Sequence, residues 1–527
     1  MAAGMRMSYA CGALARSRLL HGASRITASA TASSLCIFAS LVVLSGLSCV
    51  IGAFYDDEIY NIRTAALPYL KIIEYINYKG SIDVHPPTSY ILNKLAFDAF
   101  GSWKAVKFLN GTLNAAAVAW FYYCTSEKVA QGERFALIVF LATAVTIEMW
   151  GTSLRWYAYF NPVFLVLYSI ALSKWLPMTS RAAILAVGTI ILFYLSYLTL
   201  VAAPILWGSF IATSIRDLTA GGIARIAAFL LAAVIFCLPQ FYVFATVHLP
   251  GSVSQTGPIL YSSAQSISTL TLGNAVFPLD YVPVLFLLLL AAAVISAAKR
   301  VLRDEFFLLV LGGVIFGFIS LIVIGIGVKA RNSVFLYPAA LILIVLTISR
   351  STLGIRLPAM ATLMVVQLIS VYDFVFHWNT AKGSYNTPFP TAMREIANLS
   401  RACPGKTHNF THDPVLTYLI EQAGGRVSSP YAPTATVETL FVREKDCILI
   451  IHTYRGRIPP GLFAQYSNSL DAKQFDMTRT IQLGYDRFHT IKARIAKEPV
   501  PEYYLTIDVY DVIVDSFISD WYGLRFR

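Results

Sequence analysis

The chain has 527 residues, of which 57% are hydrophobic and only 13% are charged, and its mean hydropathy is +0.62. Globular domains carry about 25% charged residues, so this composition excludes an ordinary water-soluble protein and indicates an α-helical polytopic membrane protein. The formal net charge is +12. Because the basic residues collect in alternate loops, we attribute this excess to membrane orientation and not to a nucleic-acid partner.

The N-terminal segment, residues 1–34, is rich in alanine and serine and carries basic residues at Arg6, Arg16, Arg18 and Arg25. The apolar run 35–54 that follows is longer than the core of a signal peptide and has the ~20 residues that a bilayer-spanning helix needs. We therefore predict a basic cytoplasmic tail and a first transmembrane helix whose N-terminus lies inside.

Further apolar runs reach or approach the same length as far as residue 376. They are 105–125, 135–150, 157–174, 182–197, 199–213, 226–247, 282–298, 306–327, 333–348 and 358–376. Residues 182–213 form one continuous run, which we divide into two short helices with a turn near Tyr197. The domain 35–376 is therefore predicted to hold about eleven transmembrane helices.

The distribution of lysine and arginine supports this count. With eleven spans, the inner loops collect most of the basic residues, whereas the short outer loops hold only Arg155, Lys329 and Arg331. Basic loops face the cytoplasm. Merging the two helices of residues 182–213 would invert every later loop, so the charge pattern favours their division and places residues 377–527 outside.

Residues 377–527 are polar and are predicted to form a small extracytoplasmic, periplasmic α/β domain. The segment PTAMREIANLSRA is typical of a helix, and three β-branched segments predict strands: DCILIIHTY, TIQLGYDRFHTIKARI and YYLTIDVYDVIV. An oxidising compartment permits disulfides. We expect Cys403 and Cys447 to pair, with two buried thiols as the alternative.

Three consecutive carboxylates, Asp56, Asp57 and Glu58, follow the first predicted helix directly on its outer side. Adjacent like charges repel, so their clustering has an electrostatic cost, although carboxylates are also favoured at the start of a following helix. The next segment, IRTAALPYLKIIEYINYKG, has apolar residues at helical spacing and predicts one amphipathic helix in the membrane interface.

A second motif, DVHPP at residues 83–87, lies in the same outer loop, 55–104. It brings Asp83 and His85 directly in front of two prolines, which restrict the backbone of the motif. The loop is therefore predicted to present polar side chains at the membrane surface.

These two motifs resemble the first external loop of protein O-mannosyltransferases. More broadly, they are similar to the polyprenyl-phosphate-sugar glycosyltransferases of the GT-C superfamily, including bacterial aminoarabinose and galacturonic acid transferases. Asp57–Glu58 and the residues 83–87 match the motifs of that loop, and SLRWYAYF (153–160) and KARNSVFLYPAAL (329–341) resemble later segments. Thr-Ser-Tyr stands after the prolines where the mannosyltransferases have Leu-Gly-Lys, and the loop 248–281 is short, so the chain is closer to the bacterial branch.

The resemblance implies a GT-C fold and transfer of a sugar from a polyprenyl-phosphate donor to a lipid, glycan or protein acceptor. The active site would face the periplasm at a bacterial inner membrane. Such a transfer needs a base for the acceptor hydroxyl, and a carboxylate beside other carboxylates is suited to that task. We expect Asp57 to be the base and Glu58 to be a second base or a positioning partner, and the family implies inversion at the anomeric carbon.

The leaving phosphate needs cations. We expect Arg155 and Arg331 to bind it, because arginine suits bidentate phosphate contacts, with Lys329 and His85 assisting. The alternative for both arginines is snorkelling of the side chain at the interface.

Supporting roles are expected for Asp56, Asp83 and Tyr60, with Asp83 orienting His85. Glu148 is expected either to pair with Arg155 or to lie at an exposed helix end. No cofactor is required, and a divalent metal, if present, would be bound by Asp57 and Glu58.

Two alternatives compete with the enzyme. A transporter or lipid-glycan flippase predicts ionisable residues along a path in the middle of the helices, whereas the charges here concentrate at helix ends. A non-catalytic scaffold predicts that replacing Asp57 or Arg331 has no effect in the cell.

Overall fold

The computed structural model describes residues 29–50, 56–77, 85–248, 259–273, 281–323, 330–376, 389–411, 413–425, 427–428, 440–453, 475–484 and 503–518. The chain divides into two compact units. The first comprises Met1–Ile51, Leu67–Val276 and Tyr281–Phe376. The second comprises Gly52–Ala66, Phe277–Asp280 and His377–Arg527. The acidic motif therefore belongs to the same unit as the C-terminal domain.

The first unit is a bundle of helices. They are α1 (Ser29–Val50), α3 (Tyr69–Ile76), α4 (Thr88–Phe100), α5 (Trp103–Ser126), α6 (Gln131–Ala142), α7 (Val145–Gly151), α8 (Tyr157–Leu172), α9 (Met178–Leu195), α10 (Thr199–Ser214), α11 (Ala220–Val243), α12 (Ile259–Leu272), α13 (Tyr281–Val301), α14 (Glu305–Val323), α15 (Tyr337–Ser349) and α16 (Leu353–Phe376). Short helical turns at Ala330–Ser333 and Val334–Leu336 lead into α15. Helix α2 (Asp56–Ala65) lies in the second unit.

Within the described part of the chain, nine helical segments are long and apolar enough to cross a membrane, with α6 and α7 taken together as Gln131–Gly151. Helix α8 is apolar but has only 16 residues, and α5 has 24 residues with several buried polar side chains. Each of the eleven predicted spans overlaps one of these segments. The multi-pass helical architecture is thus confirmed, and the count of eleven stays a prediction.

Burial distinguishes the centre of the bundle from its periphery. The segment Arg331–Ser349, which includes α15, is 94% buried, and nearly every residue of α8 is buried. The apolar side chains of α11 and α13 are largely exposed, with 17% and 22% of their apolar windows buried. An apolar helix with an exposed surface suits contact with lipid, so α8 and α15 form the core and α11 and α13 form the lipid-facing side.

The predicted division of residues 182–213 is confirmed. Helix α9 ends at Leu195, and α10 begins at Thr199. Ser196 helps to end α9, since its hydroxyl oxygen accepts the N–H of Leu198 at 3.3 Å. Serine competes with helical hydrogen bonding in this way.

The prediction of a single amphipathic helix after the acidic motif is wrong. The segment forms two helices, α2 and α3, which are interrupted before Pro68 and belong to different units. Proline lacks the N–H that a continuous helix would need at this position. Leu70 and Ile73 of α3 are exposed, as expected for an interfacial helix.

Two further helices of the first unit were not predicted, and neither was α18 (Pro414–Gln422) of the second unit. Helix α4 begins directly after Pro87, and α12 lies in the segment 248–281, for which the sequence predicts a short outer loop. Helices α4 and α12 have only modest apolar content, so a search for spanning runs does not find them.

The third predicted span is interrupted between α6 and α7 at Thr143, whose hydroxyl donates to the carbonyl of Val139 at 3.1 Å.

The second unit contains a mixed sheet. Its strands are β1 (Thr407–Thr411), β2 (Val427–Ser428), β4 (Cys447–Thr453), β5 (Phe475–Gly484) and β6 (Tyr503–Val512), in the order β2-β1-β4-β6-β5. Strand β1 is parallel to β2 and β4, and β6 is antiparallel to β4 and β5. Strands β3 (Leu440–Val442) and β7 (Ser516–Ile518) form a separate antiparallel pair. Helices α2, α17 (Phe389–Ala402) and α18 (Pro414–Gln422) complete the described part of this unit.

The α/β character of this unit agrees with its sequence pattern. Helix α17 and strands β4 and β6 coincide with predicted elements. Strand β5 begins at Phe475, before the strand predicted over 480–495, and residues 485–495 lie outside the described part of the chain. Cys403 and Cys447 form a disulfide with their Cα atoms 5.9 Å apart. This covalent link joins the end of α17 to the start of β4.

A hydrogen-bonded carboxylate, Asp446, lies next to the disulfide. The Asp446 carboxylate accepts the backbone N–H groups of Lys406 and Arg443 at 2.8 and 3.1 Å and lies 2.9 Å from the ring of His408. Burial favours the neutral carboxyl group, but the hydrogen bonds from His408 and from the two amides outweigh it and hold the pKa of Asp446 below its usual range.

Candidate functional site

The segment between α7 and α8, residues 152–156, is a non-helical loop inside the first unit. Leu154 and Trp156 are buried, and Arg155 is only 8% exposed. Buried backbone groups outside a helix must find hydrogen-bond partners within the protein. The partners of this loop are supplied by α4 and α5.

Asparagine side chains from α4 and α5 bind the carbonyl groups of the loop. Asn93 donates to the carbonyl of Leu154 at 2.8 Å, and Asn110 donates to that of Ser153 at 2.9 Å. The hydroxyl of Tyr159 donates to the side-chain oxygen of Asn93 at 2.8 Å. The bonds to Ser153 and Leu154 define the path of the loop directly before Arg155.

Gly151 allows α7 to approach α5 closely. A Cβ atom at this position would lie 2.6 Å from the side-chain carbon of Asn114, which is too close for any real contact. Asn114 in turn donates to the carbonyls of Asn110 and Ala158, both at 2.9 Å. The start of the loop and the start of α8 are thus tied to the same face of α5.

Arg155 is held by an aromatic residue of α4. Its guanidinium donates to the hydroxyl of Tyr90 at 3.2 Å, and Tyr90 is itself buried. The backbone N–H of Arg155 donates to the hydroxyl of Ser153 at 3.1 Å. A guanidinium keeps its charge at any physiological pH and has the geometry for two parallel bonds to a phosphate.

His85 lies beside this loop. Its ring centroid is 4.7 Å from that of Trp156, the residue that follows Arg155. Pro86 and Pro87 connect His85 to the start of α4, which also carries Tyr90. The structure therefore brings His85 and Arg155 together in the first unit, through contacts to Trp156 and Tyr90.

Arg331 lies on the helical turn Ala330–Ser333, and its side chain is half-buried. The next turn places Phe335 against Phe160 and Phe164 of α8, with ring centroids 5.6 and 4.7 Å apart. The segment after Arg331 and the helix after Arg155 are therefore packed neighbours. Lys329 lies outside the described residues.

The acidic motif lies in the first turn of α2, where the helix dipole favours carboxylates. Glu58 is fully buried, and Tyr60 is half-buried. The side chains of Asp56 and Asp57, and all of Asp83, lie outside what the structure describes. This position agrees with a purely structural role, in which the carboxylates stabilise the start of the helix, and it is also compatible with a catalytic role.

Glu148 is a buried carboxylate whose environment differs from both expectations. It is 0% exposed, so it is not at an open helix end, and its Oε2 accepts the hydroxyl of Ser45 from α1 at 2.9 Å, so Ser45 and not Arg155 is its partner. Its position within an apolar run was the signal in the sequence for this burial.

The described residues contain no group of three or more histidine, cysteine, aspartate or glutamate side chains arranged to hold a metal ion. The side chain of Asp57 is not among them, so this finding leaves the expected metal ligands untested.

Comparison with family models and with curated proteins gives no match. Among solved structures, the chain is similar to ArnT from Cupriavidus metallidurans in the apo state, with a TM-score of 0.53 and 10% identity over 91% of this chain and 98% of that one. ArnT from the same organism bound to undecaprenyl phosphate gives a TM-score of 0.45 and 12% identity over 90% of this chain and 97% of that one. At 10% identity the similarity shows the fold alone, which is the predicted GT-C fold with a small C-terminal sheet.

Proposed function

We propose that this protein is an integral-membrane glycosyltransferase that moves a sugar from a polyprenyl-phosphate donor to a lipid, glycan or protein acceptor. The observation that carries the proposal is Arg155, a buried arginine held by Tyr90 on a non-helical loop of a GT-C bundle. The planar guanidinium can form two parallel hydrogen bonds, and a phosphate is a ligand that matches this geometry.

We assign binding of the donor phosphate to the cationic side chains of the candidate site. Arg155 and Arg331 are the principal contacts, and Lys329 and His85 assist them. When the bond between the anomeric carbon and the phosphate oxygen breaks, the polyprenyl phosphate leaves with added negative charge. Cations that are already oriented stabilise that charge without further reorganisation.

The acceptor is assigned to the acidic motif. Asp57 takes the proton of the acceptor hydroxyl while the hydroxyl oxygen bonds to the anomeric carbon. Glu58 positions Asp57 or acts as the base in its place. A single displacement of this kind inverts the anomeric centre. Asp56, Asp83 and Tyr60 support these groups, and the chemistry requires no cofactor.

The proposed location is a bacterial inner membrane with the site facing the periplasm. The concentration of basic residues in the predicted inner loops supports this orientation. A transporter or flippase needs ionisable side chains along an open path. Glu148 does not favour that alternative, because it is fully buried and bonded to Ser45.

Purified protein in lipid nanodiscs, supplied with a panel of undecaprenyl-phosphate sugars and acceptors, tests the proposal through the release of undecaprenyl phosphate. We expect turnover by the wild type and a loss of roughly 10²- to 10⁴-fold in Asp57→Asn, the usual effect of removing a general base. Arg155→Gln should lower the apparent donor affinity by at least about tenfold, as expected for a lost charged hydrogen bond.

Arg216→Gln is the matched control, since Arg216 is 80% exposed and pairs only loosely with Glu305 at 3.5 Å. It should behave as the wild type. If Asp57→Asn turned over as fast as the wild type, Asp57 could not be the base. If the wild type were inactive with every donor, the proposed transferase function would be wrong. Loss of turnover with EDTA, restored by Mn²⁺ or Mg²⁺, would assign a metal to Asp57 and Glu58.

A further inference from the structure

The helix that carries the acidic motif is part of the C-terminal unit. Helix α2 packs against α18. A helix of ten residues is marginal by itself, and tertiary packing supplies most of its stability. The order of α2 therefore depends on the helix against which it packs.

Helix α18 is well suited to act as that support. Asp413 caps its start, with one carboxylate oxygen accepting the N–H groups of Val415 and Leu416 at 2.9 and 3.1 Å. Val415, Leu416 and Ile420 are buried, and the helix packs on β1 and β2. A capped helix anchored on a sheet is a rigid platform.

An ion pair sets the register between the two helices. Arg63, in the last turn of α2, donates to Glu421 of α18 at 3.2 Å. The Arg63 side chain is 13% exposed and that of Glu421 is 43% exposed. Asp57 precedes Arg63 by six residues, about 9 Å along a continuous helix, so a shift at Arg63 moves Asp57 as well.

We propose that the C-terminal domain is part of the catalytic apparatus because it holds α2, and with it Asp57, through α18. Arg63 and Glu421 are the positioning residues of this arrangement. The inference rests on the proposed function, since its catalytic meaning requires Asp57 to act as the base. The domain therefore orients the group that activates the acceptor and has a role beyond any recruitment of the acceptor.

The test reverses the charge at Glu421 in the full-length protein and measures two quantities. Glu421→Arg places two arginines together and should lower kcat by roughly three- to tenfold with little change in the donor KM, as expected for a misplaced base and a partly exposed pair. Amide hydrogen exchange of α2 should accelerate by a similar factor. The double variant Arg63→Glu, Glu421→Arg should restore both values, which excludes general misfolding as the cause.

Glu444→Arg is the matched control, because Glu444 is an exposed carboxylate of the same unit in the turn after β3. It should change neither kcat nor the exchange of α2. Normal exchange or normal kcat in Glu421→Arg would overturn the inference, even where Asp57→Asn abolishes turnover and so supports the transferase. A wild type inactive with every donor would overturn the proposed function and the catalytic role of the domain together, while exchange still reports whether α18 holds α2.

Discussion

At the scale of single residues, close approach between α5 and α7 depends on Gly151. Ala at this position would drive its Cβ into Asn114, whose neighbour Asn110 holds the loop that carries Arg155. We expect Gly151→Ala to destabilise the protein by about 1–3 kcal/mol, the usual cost of overpacking, and to weaken donor binding. Thermal unfolding in detergent and a donor titration measure the two effects.

Gly208 offers a control for that substitution. A Cβ atom at Gly208 in α10 would meet nothing within 4 Å, and alanine is favoured over glycine inside a helix. Gly208→Ala should therefore leave the melting temperature unchanged or raise it. A Gly151→Ala protein that melts with the wild type would show that the contact with Asn114 does not constrain the loop.

A second prediction at this scale concerns pH. Hydrogen bonds hold the folded pKa of Asp446 below the usual value of 3.8, so its contribution to stability is complete above the unfolded pKa and is lost as the pH falls through the folded pKa. The wild type should therefore lose stability in the second unit below about pH 4. Asp446→Asn should remove that part of the pH dependence.

Hydrogen exchange of β4 as a function of pH measures this effect. Asp476→Asn, at an exposed position on β5, is the matched control and should keep the pH profile of the wild type. An Asp446→Asn profile identical to that of the wild type would exclude the carboxylate as the cause.

At the scale of elements, two cationic side chains from other segments bind the C-terminal carbonyl groups of α8. Arg181 donates to the carbonyls of Ile170 and Ala171, at 3.2 and 2.7 Å, and Lys128 donates to that of Leu172. Cations at this end complement the helix dipole and bind carbonyls that have no helical partner. Burial lowers the pKa of Lys128 from its usual value.

Arg181→Met should therefore cost roughly 1–3 kcal/mol, because it removes the charged hydrogen bonds to the carbonyls of Ile170 and Ala171. Arg216→Met, at a side chain that is 80% exposed, should cost much less. Unfolding in detergent compares the two variants, and equal melting temperatures would show that water or lipid headgroups replace Arg181 at no cost.

The sequence predicted those elements whose pattern is governed by burial in an apolar medium. The apolar runs located the long helices, and β-branched segments located β4 and β6. It did not predict the interruption before Pro68, because the apolar spacing continues on both sides of Leu67 and only the missing N–H of the proline ends the helix. Nor did it predict α4, whose buried residues include the polar Asn93, so no apolar stripe marks it.

The candidate site was predictable in part for a similar reason. Arg155 was identifiable because charge is rare at the predicted outer ends of the spans. Its partner Tyr90 was not identifiable, and neither were Asn93 and Asn110, which bind the carbonyls of its loop. Neutral polar residues are common in loops, and the convergence of these three depends on how α4 and α5 pack. The membership of α2 in the C-terminal unit is a tertiary property without any local signal.

At the scale of the whole molecule, an ionic cluster connects three segments of the bundle. Arg350, after α15, bonds to Glu133 of α6 at 2.8 Å and to Asp304, before α14, at 2.7 Å. All three side chains are at most 21% exposed. Removing one member of a buried ionic group leaves uncompensated charge on the others.

We expect Arg350→Ala to destabilise the bundle by about 3 kcal/mol. The exposed arginine Arg216 again provides the control, as Arg216→Ala. Denaturant unfolding monitored by tryptophan fluorescence measures the difference, and a change below 0.5 kcal/mol, about the value of an isolated surface pair, would contradict the structural role of the cluster.

The pairing of Arg63 with Glu421 joins residues 358 positions apart in the chain. During synthesis, α2 emerges from the ribosome early, whereas α18 is translated only after the last membrane helix. The nascent chain therefore inserts nearly its entire bundle before the acidic helix meets its support. A protein truncated by premature termination before α18 would lack an ordered acidic helix. Incomplete chains would therefore have no transferase activity.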